Sequence, residues 1–176
     1  LALFRVDGPV LNNVIIKDNT ATLKGGGITS YKSTMTIKES IVSNNSSLDR
    51  GGIYAWGDAT PEWGGVGGDL VIEDCIVTGN VVTQNHGGGI TIYGVDEVII
   101  KRTSVVDNHA NNGIGGILVE FSDVTLDNIT VSGNSSTYGG TIGVGEGGHV
   151  DLTNSILWGN GDGTEINDDE VLLEED

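Results

Sequence analysis

Proline, methionine and cysteine are almost missing from this chain of 176 residues, with two, one and one copies, whereas glycine appears 29 times. The single cysteine, Cys75, excludes an internal disulfide and a cysteine-based zinc site. Basic residues are scarce as well. Eight Lys and Arg face 25 Asp and Glu, a formal charge of -17 that makes nucleic acid and anionic membrane surfaces poor partners. The same charge repels polyuronates and tilts any glycan ligand towards neutral sugars. No apolar run is long enough to cross a membrane as a helix, so no membrane insertion is expected of this segment. Leu1 begins in mid-repeat without a basic leader region, so the chain reads as a segment of something longer, with upstream coils expected. Helix formers never align at 3.6-residue spacing over a long window, whereas β-branched residues are everywhere, and the chain reads as nearly all β.

What is present is a repeat. Asn19, Asn45, Asn80, Asn108, Asn134 and Asn160 follow one another at steps of 26, 35, 28, 26 and 26 residues. Eight residues before each stands Leu or Ile (Leu11, Ile37, Ile72, Ile100, Leu126, Leu152), and three before it an aliphatic (Ile16, Val42, Val77, Val105, Val131, Leu157). A glycine-led Ile then opens a third run at Ile28, Ile53, Ile90 and Ile117, and at Ile142 with Thr141 intervening. A unit of this size cannot bury its own apolar face and must stack on its neighbours. The expected fold is an all-β right-handed parallel β-helix, a solenoid of about six coils with three short strands per coil, spanning 1–160. Asn is expected at a tight corner, because it tolerates left-handed backbone, with its amide stacked from coil to coil. Glycine is expected where a Cβ would clash. The sequons at Asn45, Asn128 and Asn134 follow from the repeat composition rather than marking glycosylation.

Gly-Gly-Gly-Ile at 25–28 and 87–90, alternating with Val-x-x-Asn at 77–80, 105–108 and 131–134, resembles the right-handed parallel β-helix repeats of bacterial secreted and surface proteins. It is similar in particular to polymorphic outer-membrane protein repeats, whose Gly-Gly-Ala-Ile and Phe-x-x-Asn motifs belong to adhesins. The segment 154–160 resembles the last coil of many secreted β-helix proteins. The resemblance implies an extracellular or cell-surface location and a host or surface ligand.

Three residues after each glycine-led Ile stand Tyr31, Trp56, Tyr93, Glu120 and Gly145, and Phe4 joins them if Leu1 opens a first coil. Alternation places this column outward. Exposed rings in a row suit stacking on sugar rings, and equally suit a ladder that stabilises the sheet. The 35-residue step marks an insertion of residues 57–66, where Trp63, Asp58 and Glu62 lie near Trp56 and Asp69. Solenoids carry functional loops on one face. The glycan-binding candidates are therefore Tyr31, Trp56, Trp63, Tyr93, Asp58 and Glu62.

Enzymatic signatures are weak. The one Asp-Asp pair, Asp168-Asp169, lies in the tail, and the basic cluster Lys101-Arg102, the nearest thing to a lyase base, has no matching acids within its strand. His86, His109 and His149 occupy unrelated repeat positions. No cofactor is expected, but calcium is possible, since Asp18, Asp107, Asp123 and Asp127 supply hard oxygen ligands at turns. Residues 161–176, with eight acids from 162 onward, read as an acidic tail or capping segment, either a short amphipathic helix near Asn167–Leu173 or a disordered linker. The functional expectation is a non-catalytic adhesin or carbohydrate-binding rod. A polysaccharide lyase or glycoside hydrolase and a passive stalk are the alternatives.

Overall fold

The computed structural model describes residues 1–58, 67–137, 141–161 and 171–173. These form a parallel β-solenoid of about six coils with no helix among the described residues. Four parallel sheets run along it. The first contains Ala2–Phe4, Ile28–Tyr31, Ile53–Trp56, Ile90–Tyr93, Ile117–Glu120, Ile142–Val144 and Val171–Leu173. The second contains Asp7–Asn12, Thr34–Lys38, Asp69–Glu73, Glu97–Lys101, Asp123–Asp127 and His149–Thr153. The third contains the three-residue strands that carry the aliphatic before each Asn, from Ile15–Lys17 to Ile156–Trp158. The fourth follows the Asn and contains Thr20–Lys24, Ser46–Asp49, Val81–Val82, His109–Ala110 and Ser135–Ser136.

The fourth sheet corrects the expected three strands per coil. Its segments are short and mostly polar, so no apolar run marks them. They are strands because the coils above and below, already held in register, offer their backbone groups at the right height.

Each coil contributes one residue to each core column. Ile28, Ile53, Ile90, Ile117 and Ile142 line up in the first sheet, Ile37, Ile72, Ile100 and Leu126 in the second, and Val42, Val77, Val105 and Val131 in the third, all essentially inaccessible. Burying each such side chain stabilises the fold by about 1.5–3 kcal/mol before entropy is counted. The 35-residue step leaves this register intact, since Val42 and Val77 remain partners.

The asparagine column is buried and hydrogen-bonded along the axis. Asn80 Oδ1 accepts both the backbone N–H of Asn45 (3.0 Å) and its Nδ2 (2.9 Å). Asn80 Nδ2 in turn donates to Asn108 Oδ1 at 2.9 Å and back to the Val42 carbonyl at 3.0 Å. The pattern repeats through Asn108, Asn134 and Asn160. The left-handed corner, however, belongs to the preceding residue. Asp18, Asn44, Gly79, Asp107, Gly133 and Gly159 carry φ of 57°, 53°, 63°, 55°, 64° and 60°. The Asn turns its amide inward, and its neighbour absorbs the bend. Because Asn45 and Asn134 are locked in the ladder, their sequons are inaccessible, whereas Asn128 is an exposed corner.

The glycine pairs before the Ile column stand where coils approach closely. A Cβ on Gly27 or Gly89 would lie 2.7 Å from the next coil's carbonyl at Gly52 or Gly116. Hydroxyl groups close other corners: Ser40, Thr103 and Ser155 each accept the backbone N–H of Val14, Cys75 and Ile129 one coil earlier. Cys75 fills one place in that column, buried, and burial pushes its thiol up.

Val171–Leu173 pairs with Ile142–Val144 as a parallel strand, so these residues are not the end of the expected amphipathic helix. The unpaired backbone groups along the Ile142–Val144 edge supply the partner that an isolated helix would lack. The rest of the expected helix lies outside the described residues.

The basic cluster also reads differently in three dimensions. Lys101 stands in register between Glu73 and Asp127, and Lys38 precedes Glu73 in the same column. Lys38 Nζ lies 3.0 Å and Lys101 Nζ 3.6 Å from Glu73, and Arg102 contacts Glu73 while clamping Asp74 at 2.8 and 3.1 Å. The acids that are missing within the strand stand on the next coil. Hydrogen bonding from Lys38, then from Arg102, draws the Glu73 carboxyl down to about 2.

Two predictions follow from these columns. Asn80→Ala orphans buried partners on both neighbouring coils, at about 1–3 kcal/mol each. Urea denaturation should therefore show a loss of about 3 kcal/mol or more, against under about 1 kcal/mol for exposed Asn19→Ala. Glu73 contributes stability while ionised, fully above its unfolded value of 4.5, and that contribution disappears as pH falls through about 2. The urea midpoint of Glu73→Gln should lie below that of the parent at pH 7, with the gap narrowing below pH 4.5 and closing near pH 2; a constant gap would rule this linkage out.

Candidate functional site

The outward face of the first sheet carries the aromatic column in the register expected. Phe4 pairs with Tyr31, Tyr31 with Trp56, Trp56 with Tyr93, and Tyr93 with Glu120. Phe4 and Tyr31 ring centroids are 6.0 Å apart, and Tyr31 and Trp56 are 4.8 Å apart and edge to face. Trp56 is 37% exposed, and Tyr31 and Tyr93 are half-buried. Tyr93 pairs instead with Phe121, edge to face at 5.2 Å. Phe121 occupies a left-handed corner, φ 49°, which carries its ring back towards the column.

Strict alternation fails two residues before this column. Tyr54, Thr91 and Leu118 point outward yet are buried, because the segment leading into each Gly-Gly-Ile turn folds back over the sheet. Above Tyr54 lie Arg50, 5.2 Å from the ring centroid, and Lys24, at 5.7 Å from both Tyr54 and Trp56. Burial under this cover pushes the Tyr54 hydroxyl up to about 12. Both cations are held by Asp49, which contacts Arg50 and lies 4.0 Å from Lys24.

The insertion candidates separate. Asp58 is half-buried and paired with Lys32, whose ammonium also lies 5.3 Å from the Tyr31 ring centroid. This partner raises the Lys32 pKa. Asp58 is therefore part of the frame beneath Tyr31, with its charge already met. Trp63 and Glu62 lie outside the described residues. Asp69 starts a strand of the second sheet, away from the aromatic face.

Further along, the same face opens into a groove of about 610 Å³. Its apolar floor is Ile114 and Leu118, its polar walls Asn85, His86 and Asn112, and Glu120 stands at its side. Glycine creates the space. Gly143 follows Leu118 in register, and a Cβ there would collide with Ile114; Gly145 lies beside Glu120, where a Cβ would be 3.2 Å from Glu120 Cγ. The walls are braced by the coil before, since Asn112 Nδ2 donates to the Gln84 carbonyl and Asn111 N donates to Val82 O at 2.9 Å. This groove was not anticipated from the sequence. Its one sequence signal is the point where the ring column gives way to Glu120 and then Gly145.

The calcium candidates do not converge. Asp18 and Asp107 sit three coils apart in one corner column, and Asp123 and Asp127 occupy the two ends of one strand. Asp127 instead accepts bonds from Asn154 Nδ2 (2.8 Å) and Thr153 Oγ1 (2.9 Å), which hold its carboxyl below the usual range. No group of three or more His, Cys, Asp or Glu suited to a metal occurs among the described residues. The three histidines are likewise apart: His86 lines the groove, His109 bridges Ser135 and Asn111 at 2.9 and 3.0 Å, and His149 lies 3.3 Å from Asp151.

No family model matches the chain, and no solved structure matches it. It is similar to a metabotropic glutamate receptor-like protein R of Dictyostelium discoideum, with 22% identity over 135 residues. The match covers 77% of this chain but 8% of that relative, so the chain spans a small part of a much longer protein.

Proposed function

We propose that this solenoid is a non-catalytic carbohydrate-binding rod of adhesin type, acting at a cell surface or outside the cell, with the outward face of the first sheet as its binding surface. The observation that carries this reading is the in-register column Phe4, Tyr31, Trp56 and Tyr93, one ring per coil. At a coil spacing of about 4.8 Å, a glycan laid along the axis meets a new ring at each coil. Trp56, the most open of the three central rings, is the principal stacking platform. The likeness to bacterial outer-membrane adhesin repeats supports the same reading. So does the covered sheet face, where Lys24, Arg50 and Asp49 hold the rings in place before any ligand arrives.

A passive stalk is the second reading, favoured by the edge-to-face contacts the rings make with each other. Polysaccharide cleavage finds less support, because Glu120 is the single carboxylate among the described lining residues of the groove, and paired-carboxylate hydrolysis needs two. The open edge at the first coil suits further coils upstream in a longer chain. There Asn19 Oδ1 occupies the place where a preceding amide would donate.

Glycan-array screening followed by calorimetry tests the proposal. The intact protein should bind an oligosaccharide. Trp56→Ala should weaken that affinity about tenfold, as loss of one aromatic contact of about 1–1.5 kcal/mol requires. A folded protein with no signal on the array would favour the stalk; release of new reducing or unsaturated ends would favour the enzyme.

A further inference from the structure

We propose that the groove at the end of the aromatic column is a subsite for an amino sugar bearing a free, protonated amine, with Glu120 as the group that recognises it. The inference rests on the glycan reading of the column and assigns the chemistry of one unit of the ligand.

Register supplies the first argument. Glu120 occupies the next place after Tyr93, so a chain laid over Trp56 and Tyr93 reaches a carboxylate where the earlier coils present rings. Space supplies the second. Gly143 and Gly145 leave open the region beyond Glu120, so that one sugar unit can descend beside the carboxylate onto Ile114 and Leu118. An apolar floor with a few converging polar groups is the usual composition of a small-ligand pocket, and the floor's low polarity strengthens a charge pair formed above it.

Charge supplies the third argument. A net charge of -17 disfavours an anionic sugar at this carboxylate. Around Glu120, Tyr93 precedes it in the column and Phe121 follows it in sequence, with ring centroids 5.2 Å apart. Aromatic rings beside a carboxylate suit an ammonium group. The wall residues Asn85, His86 and Asn112 are left to hydrogen-bond ring hydroxyls.

The opposite end of the column has the opposite character. Lys24 lies over Tyr54 and Trp56, and Lys32 lies over Tyr31. An amine is disfavoured there and a neutral unit is accepted. The face therefore has a polarity along the axis, neutral sugar towards Tyr31 and Trp56 and charged amine at Glu120, which orients an oligosaccharide as well as selecting it.

Calorimetry with two ligands of equal length tests this: a fully N-acetylated chitin tetrasaccharide and the same tetrasaccharide with one free amine at a terminal unit. The parent protein should bind the amine form at least tenfold more tightly. In Glu120→Gln the preference should disappear, with the two ligands bound at similar affinity. Glu97→Gln removes the same charge from an exposed position on the second sheet and should keep the preference. Equal affinities in the parent protein would overturn the assignment while leaving the glycan reading in place. An equal loss of preference in Glu97→Gln would overturn it too, by showing that overall charge is responsible. Binding of neither tetrasaccharide, with no other glycan bound on the array, would remove the glycan reading itself.

Discussion

The buried asparagine amides set the height of every coil. Each central amide in the column uses both donors and accepts two bonds, linking three successive coils. A polar side chain in an apolar interior is tolerated only when fully bonded, so the ladder leaves no freedom for a coil to slip. Aliphatic columns alone would permit slippage, because one buried Ile or Val substitutes for another. The amide column removes that degeneracy, and the close glycine contacts beside it set how near the coils come.

Everything on the surface inherits this register. Side chains far apart in sequence become neighbours at one coil's spacing, and like positions form columns of chemistry. On the second sheet the column alternates Lys38, Glu73, Lys101 and Asp127, so that opposite charges face each other across coils. On the first sheet the same rule places rings in a row and then a carboxylate. A net charge of -17 is compatible with this because several of the few cations are spent locally, Lys38, Lys101 and Arg102 on Glu73 and Asp74, Lys24 and Arg50 on Asp49.

The rod's individuality lies in its departures from repetition. The extra residues at 57–66 leave beside Trp56 without disturbing the core, since a solenoid tolerates a loop wherever both flanking strands keep their partners. The segments entering the Gly-Gly-Ile turns fold over the first sheet and bury Tyr54, Thr91 and Leu118 on what would be an open face. Where Gly143 and Gly145 interrupt that cover and column, the groove appears.

The repeat spacing by itself determined the solenoid, its coil count and the register of Tyr31, Trp56 and Tyr93, because each depends on short-range periodicity that any stacking must obey. Sequence also singled out Asn and Gly as structural columns, but not which residue of the corner is left-handed: Asn44 and Asn45 are the same residue type, and only the chain path turns one outward and the other into the ladder. The fourth sheet and the strand at Val171–Leu173 arise from backbone pairing with neighbouring coils, a contribution invisible in local composition. The groove was decided by tertiary structure alone. It brings Asn85 and His86 of one turn, Asn112 and Ile114 of the next, and Glu120 and Gly145 of two successive strands to one place, and no pattern within a single coil encodes that meeting.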